Sequence, residues 1–461
     1  MSRTTVDLIL PARHHRRIKP PAKLHLTKWW FWAGVLLAMA AVLIVILLMA
    51  RLSQWIASDG FRGMLDEETS KGLHLEGNYT AINRIGWLGL HADSFNGTNG
   101  YKTIVSLHAS DISGTFNPVG ILLRRWELED LRIKSGSVLL QKTKPSAEAN
   151  QEPILPWWRQ FWPDRVYLAD VKVDAADILW RLKGSESGVY QTFLEITPNG
   201  RDFEYDARGG EFKTPITPSF ALRHAHVLIR KARLYCSELL LEDEATHPIQ
   251  QLRAKGDAGL EQDRSINLKL DFASLKISPW LPKHWRAHVA GQISGHFDYM
   301  SNDTGLETSH GRGNITVIDG VLRDLPPVDQ YISLTGSPDP GDMKLSACTA
   351  NVRWKECEII FENINMECPD VFRLTGTVTA TKTRALHGTL ALGLTDSYLR
   401  WLPSLQKNIF SRQEGDYHFA TVHLSGTVDH PEQDLSERLI KEVEKHPLLG
   451  LELFFRQIGK L

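Results

Sequence analysis

Apolar residues recur at every second position over most of the chain between Leu73 and Pro431. The clearest runs are Val166 and Leu168; Val171 and Val173; Ile178, Trp180 and Leu182; Leu374, Gly376 and Val378; and Leu390, Leu392 and Leu394. In the best of them Lys, Asp, Arg or Thr fills the alternate positions. A period of two predicts strands with one dry and one wet face. Turn signals fall between the runs: Asn-Gly at 96 and 199, Gly209-Gly210, Asp319-Gly320 and Pro-Asp-Pro-Gly from 338. At roughly 12 residues per strand and turn, residues 73–431 supply about 30 strands, a sheet on the order of 140 Å long. The expected fold is mainly β: an elongated, curled antiparallel sheet with an apolar trough, flanked by short helices.

A different pattern precedes the strands. Trp29 to Ala50 carries no charge and reads WWFWAGVLLAMAAVLIVILLMA. As a helix it spans roughly 33 Å, slightly more than the bilayer's apolar core. Residues 1–28 hold seven Lys/Arg against one acid, Asp7. This bias predicts a basic cytoplasmic tail (1–28), a single transmembrane anchor (29–50), and export of everything after Arg51. Trp29, Trp30 and Trp32 sit where an aromatic belt meets the headgroups. The competing reading is a cleaved signal peptide, but the run exceeds a usual h-region and ARLSQWIAS offers no clean small-residue site. Ile56, Phe61, Met64 and Leu65 then predict a juxtamembrane helix within 51–72, with Gly72 as its C-cap. Residues 432–461 predict two amphipathic helices split near Pro447. Both are expected to act as a lid or membrane contact rather than as core, because Leu448, Leu449, Leu451, Leu453, Phe454, Phe455 and Ile458 are too many apolar positions for a solvated helix.

Two segments interrupt the strands. Lys142 to Glu152 is polar and rich in Pro, Ala and Glu, a linker signal. Pro153 to Pro163 is densely aromatic, and Trp157, Trp158, Phe161 and Trp162 suit either a membrane interface or a short helix capping a sheet edge.

Net charge is −1, with 53 basic and 54 acidic residues, so no field favours nucleic acid. Four cysteines (Cys236, Cys348, Cys357, Cys368) are too few for a disulfide scaffold and are read as buried thiols, with one bridge left open. HExxH, P-loop and G-x-S-x-G patterns are absent. His224-x-His226 and His284…His288 come nearest to metal spacing but lack an evident third ligand. Asp174 and Asp177 read as a wet strand face rather than a glycosidase pair. Neither enzyme activity, nor metal, nor cofactor is expected.

The strands carry internal echoes. Ile112-Ser-Gly-Thr-Phe116 returns as Ile293-Ser-Gly-His-Phe297, Leu374-Thr-Gly-Thr-Val378 and Leu424-Ser-Gly-Thr-Val428. Leu268-Lys-Leu-Asp-Phe272 leads to Trp280-Leu-Pro282, as Leu390-Ala-Leu-Gly-Leu394 leads to Trp401-Leu-Pro403. A repeated unit grows by stacking. With the anchor, these motifs and GLHLEG, ILLRRWELEDLRIKSGSVLLQK, GRGNITVIDGVLRDLPP and VHLSGTVDHP, the chain resembles the AsmA-like envelope proteins of diderm bacteria, relatives of TamB. The resemblance implies a curled sheet at 73–431 with an apolar inner trough, no catalytic residues, and phospholipid movement through the periplasm in support of the outer membrane.

The partners expected are therefore phospholipid acyl chains, the inner membrane and outer-membrane or periplasmic proteins, without nucleic acid. Val166, Leu168, Val171, Val173, Ile178, Trp180, Leu374, Val378, Leu390 and Leu392 are the candidate groove residues. Trp157, Trp158, Phe161, Trp162, Phe454 and Phe455 are the candidate membrane-interface residues. The alternative is a structural or assembly factor of the envelope that acts by protein contacts.

Overall fold

The computed structural model describes residues 26–445, apart from 57, 87, 101–102, 123–124, 142–164, 183, 201, 216, 244–247, 261–263, 303–305, 326–327, 330–331, 333–338 and 401–402. The chain divides into two units, before and after the Phe61–Arg62 bond. The first is dominated by an α-helix, Leu26–Ile56, whose section Trp32–Ile56 is long and apolar enough to cross a membrane. Its aliphatic side chains are exposed, Leu37 at 74%. The helix runs six residues past the expected boundary at Ala50 because Arg51 to Ile56 holds no breaker. Ser58 then starts a new helix, Asp59–Leu73, accepting from the Phe61 amide at its carbonyl (3.1 Å). This second helix ends at His74, not at Gly72. His74 takes φ 56°, and the Leu75 amide reaches back to the Ser70 carbonyl at 3.1 Å, the six-to-one closure of a left-handed cap.

The second unit is mainly β. Its twenty-four described strands form one sheet. Pairing follows the chain from Glu76–Tyr79 to Pro431–Gln433. Five pairs of short strands lie end to end in one position, for example Arg165–Leu168 with Val171–Leu182 beside Arg125–Leu140. That leaves nineteen lateral positions, about 86 Å of hydrogen-bonded path at roughly 4.8 Å per step, shorter than the 140 Å expected. The strands are longer than the average used for that figure: Arg125–Leu140 has 16 residues.

The sheet is mixed, not wholly antiparallel. Arg165–Leu168 and Val171–Leu182 both run parallel to Arg125–Leu140. A parallel return needs a crossover of a dozen or more residues, and the interruption after Leu140 supplies it. Two of the expected turns lie inside strands, whereas Asn199-Gly200 and Gly209-Gly210 fall at connections between them. Asn96-Gly97 belongs to Gly89–Thr98, and Asp319-Gly320 to Ser309–Leu322, where Asp319 bulges at φ 50°. Two tight hairpins instead use Lys231-Ala232 and Glu356-Cys357, all four residues at positive φ. Further bulges at Asp130, Gln191, Ser274 and Asn363 bend the strands that carry them.

Both ends of the sheet are closed by helices. At the first end Tyr79 stacks on Phe95 at 4.7 Å, and its amide donates to Asp66 of the helix Asp59–Leu73 at 2.7 Å. At the other end helices Asp396–Leu399, Pro403–Asn408 and Leu435–Glu444 bury Leu399, Leu405, Phe410, Leu435 and Leu439 against the last strands. The helix Leu435–Glu444 is therefore core, not the lid that its amphipathic pattern predicts. A short strand, Pro431–Gln433, precedes it. Residues 446–461, with Phe454 and Phe455, lie outside the described residues.

Candidate functional site

Residues paired across neighbouring strands project from the same face, so a lateral row can be traced from the pairing alone. One row begins Ile82, Ala92, Ile112, Ile133, Val173, Leu194. It continues Ala207, Ala225, Leu239, Ala254, Leu270, Phe297. It ends Gly313, Val352, Phe361, Val378, Gly388, Leu424. Every one of these eighteen lateral positions is apolar or glycine. Two residues along runs a second such row: Leu131, Val171, Ile196, Tyr205, Val227, Cys236 and Gly256, then Leu268, Tyr299, Gly311, Trp354, Ile359, Ala380 and Leu386.

The row between them faces the other way. Arg132, Lys172, Glu195, Asp206, His226 and Glu238 occupy successive strands. Lys172 Nζ lies 3.2 Å from Glu195, and His226 Nδ1 lies 3.1 Å from Asp206. His224 joins this group, 3.2 Å from Asp206 and 3.3 Å from Glu238. Burial acts to raise the Asp206 carboxyl, but hydrogen bonds from His226 and His224 outweigh it and hold the group below the usual carboxylate range. Among the described residues no group of His, Cys, Asp or Glu has the arrangement of a metal site.

Glycines shape the dry face. A Cβ on Gly311 would stand 2.6 Å from the Phe297 ring, and one on Gly295 3.1 Å from the Phe272 ring. The missing side chains let aromatic rings lie down along the sheet instead of standing off it. This is what the apolar-Ser/Thr-Gly-x-apolar echoes encode. Ile293, Gly295 and Phe297 alternate onto the dry face, with Gly295 opposite Phe272. Leu374, Gly376 and Val378 do the same, with Gly376 opposite Leu390.

The predicted groove residues separate into two environments. Val171 and Val173 are buried in a small cluster that also takes Leu168. Ile178 and Trp180 have the opposite sequence parity to Val173, yet share its face: register shifts either side of Ala176 reverse the alternation, and Ala176 packs with Val173. Trp180 lies 6.1 Å from Phe212. Val166 belongs to the parallel strand Arg165–Leu168, and its side chain is outside the described residues. Leu374, Val378, Leu390 and Leu392 instead pack into the closed end beneath the helices, with Leu390 8% exposed. Trp157, Trp158, Phe161 and Trp162 lie outside the described residues.

Between the two ends, Leu194, Leu239, Leu270, Phe297, Val352 and Phe361 are only half-buried. The described strands form one sheet, so no second sheet faces them. Sequence periodicity misses Ala207, Ala225, Ala254 and the glycines of this face, because small residues read as neutral. Their one signal is the Gly-centred echo. The four cysteines are unpaired. Burial pushes the thiols of Cys236, Cys348 and Cys368 up, away from the nucleophilic thiolate.

At one edge of the face, where the second row ends, a cleft of about 540 Å³ is lined by Trp354, Cys357, Ile359, Ala380, Thr381 and Val428, with Glu307, Lys382 and Arg384. No protein-family model, curated protein or solved structure matches the chain.

Proposed function

We propose that the protein is a membrane-anchored lipid-binding module whose dry face carries phospholipid acyl chains. The observation that supports this most is the unbroken row of apolar residues and glycine through eighteen lateral positions, whose large side chains in the middle are half-buried and faced by no second sheet among the described residues. A sheet with a dry face has to cover it. Closed packing covers the two ends and one strip of the middle, where Phe220, Leu222, Leu241 and Leu275 are buried, and acyl chains suit the half-buried remainder because they match a surface with no polar atom to satisfy. At about 0.8 kcal/mol per buried CH₂, ten methylenes on the face contribute about 8 kcal/mol, far beyond any single rim contact. The basic segment before the apolar helix favours an N-in inner-membrane anchor with the sheet in the periplasm. There the module would move or hold phospholipid between membranes in support of the outer membrane.

Native mass spectrometry of the full chain extracted in mild detergent tests the reading. Phospholipid should remain bound after detergent exchange. A protein that emerges free of lipid, with its fold intact, would favour an assembly factor acting through protein contacts.

A further inference from the structure

We propose that the cleft at the edge of the dry face is a headgroup subsite for a zwitterionic phospholipid, in which Lys382 and Arg384 meet the phosphate and Glu307 and Asp429 meet the amine. This rests on the reading that acyl chains lie on the dry face.

The floor of the cleft belongs to that face. Trp354, Ile359 and Ala380 are consecutive members of the second apolar row. The Trp354 indole N–H donates to Ser309 Oγ at 2.6 Å, so the ring offers the cleft an apolar surface with its polar atom already satisfied. A chain lying along the row therefore arrives at this edge with no polar atom to displace. The cleft's volume falls within the range of small-molecule sites.

The mouth is charged, with both signs present. Lys382 Nζ is 2.8 Å from Glu307 Oε1, and Arg384 Nη2 is 2.8 Å from Asp429 Oδ1. The two cations sit on one held turn. Its Arg384 amide donates to the Thr381 carbonyl, its Thr381 amide to the Ala385 carbonyl, and the Arg384 carbonyl accepts from the Val428 amide, each at 2.9 Å. All four charged side chains are more than a third exposed, and exposed ion pairs hold together weakly, so an incoming group opens them at little cost. Arginine's fork suits a phosphate. An anionic headgroup would leave Glu307 and Asp429 against its own charge. A headgroup with one phosphate and one amine satisfies both pairs.

The test uses the delipidated full chain in detergent, offered equal amounts of phosphatidylethanolamine and phosphatidylglycerol. Total bound lipid and the ratio of the two lipids are read by mass spectrometry. Wild type should bind both and enrich phosphatidylethanolamine several-fold. The double variant Lys382→Glu, Arg384→Glu should bring that ratio to about one, with total lipid within twofold of wild type. The double variant Glu307→Lys, Asp429→Lys should invert it toward phosphatidylglycerol. The positions are exposed, and circular dichroism checks that each variant folds. Wild type without selectivity, or variants that keep it, would overturn the subsite while leaving acyl binding intact. Wild type without any lipid would overturn the acyl-chain reading and the subsite with it. Soluble glycerophosphoethanolamine should not compete. Competition at comparable concentration would mean that the cleft takes a free phosphoamine, contrary to the proposal.

Discussion

Phe410→Ala is expected to lower stability by about 3–5 kcal/mol, the range for deleting a large buried aromatic side chain. Phe410 is 0% exposed, in a cluster with Leu399, Leu405, Leu435 and Leu439. Its amide also closes the helix Pro403–Asn408 by donating to the Leu405 carbonyl at 2.9 Å. Against a typical total of 5–15 kcal/mol, that loss is large. It should also be local. Each strand is paired to its immediate neighbours, so stability is close to a sum over adjacent positions. Hydrogen exchange should show lost protection in the strands Phe372–Ala380, Leu386–Thr395 and Tyr417–Gly426, with Gln250–Gly259 and Ile266–Lys276 unchanged. Uniform loss across the sheet would show that the closed end is not a separate cap.

Leu270→Asp should have the opposite profile: a folded protein that no longer retains phospholipid. Leu270 is half-buried in the middle of the first apolar row, between Ala254 and Phe297. With an acyl chain over it, a carboxylate is desolvated without a partner, which costs several kcal/mol. With the chain gone, water reaches it and the strand pairs as before. Asn314→Asp is the control, since Asn314 is exposed on the wet face between Gly313 and Ile315. It should bind lipid like wild type. Aggregation of Leu270→Asp but not of Asn314→Asp would show that the middle of the dry face is packed against protein.

Most of the fold is legible in the sequence, because a period of two is the physical requirement of a half-wet strand. The long apolar helix is equally plain. What escapes is specific. The parallel return to Arg125–Leu140 depends on which strand the chain rejoins after a long interruption, and alternation says nothing about that. Lys231-Ala232 and Glu356-Cys357 make tight turns without Asn or Gly, because pairing on either side imposes positive φ on residues that tolerate it poorly. The helix Leu435–Glu444 is amphipathic whether its apolar side meets membrane or core, so its sequence could not separate lid from cap. The candidate site is half legible. Large residues such as Val173 and Trp180 stand out, whereas Ala225, Ala254 and Gly313 are recognised only when pairing places them in the row. Lys382 and Arg384 carry no motif. They join the proposed subsite because the turn that holds them lines one cleft with Trp354.

Lipid is proposed to lie on one face of the sheet and not on the other. Photo-crosslinking in cells tests it most directly, with a diazirine side chain placed singly at Leu239, Leu270 and Val352 on the dry face and at His226, Lys269 and Arg353 on the wet face. Phospholipid adducts are expected at the first three positions and none at the second three. Adducts on both faces alike, or on neither, would contradict it.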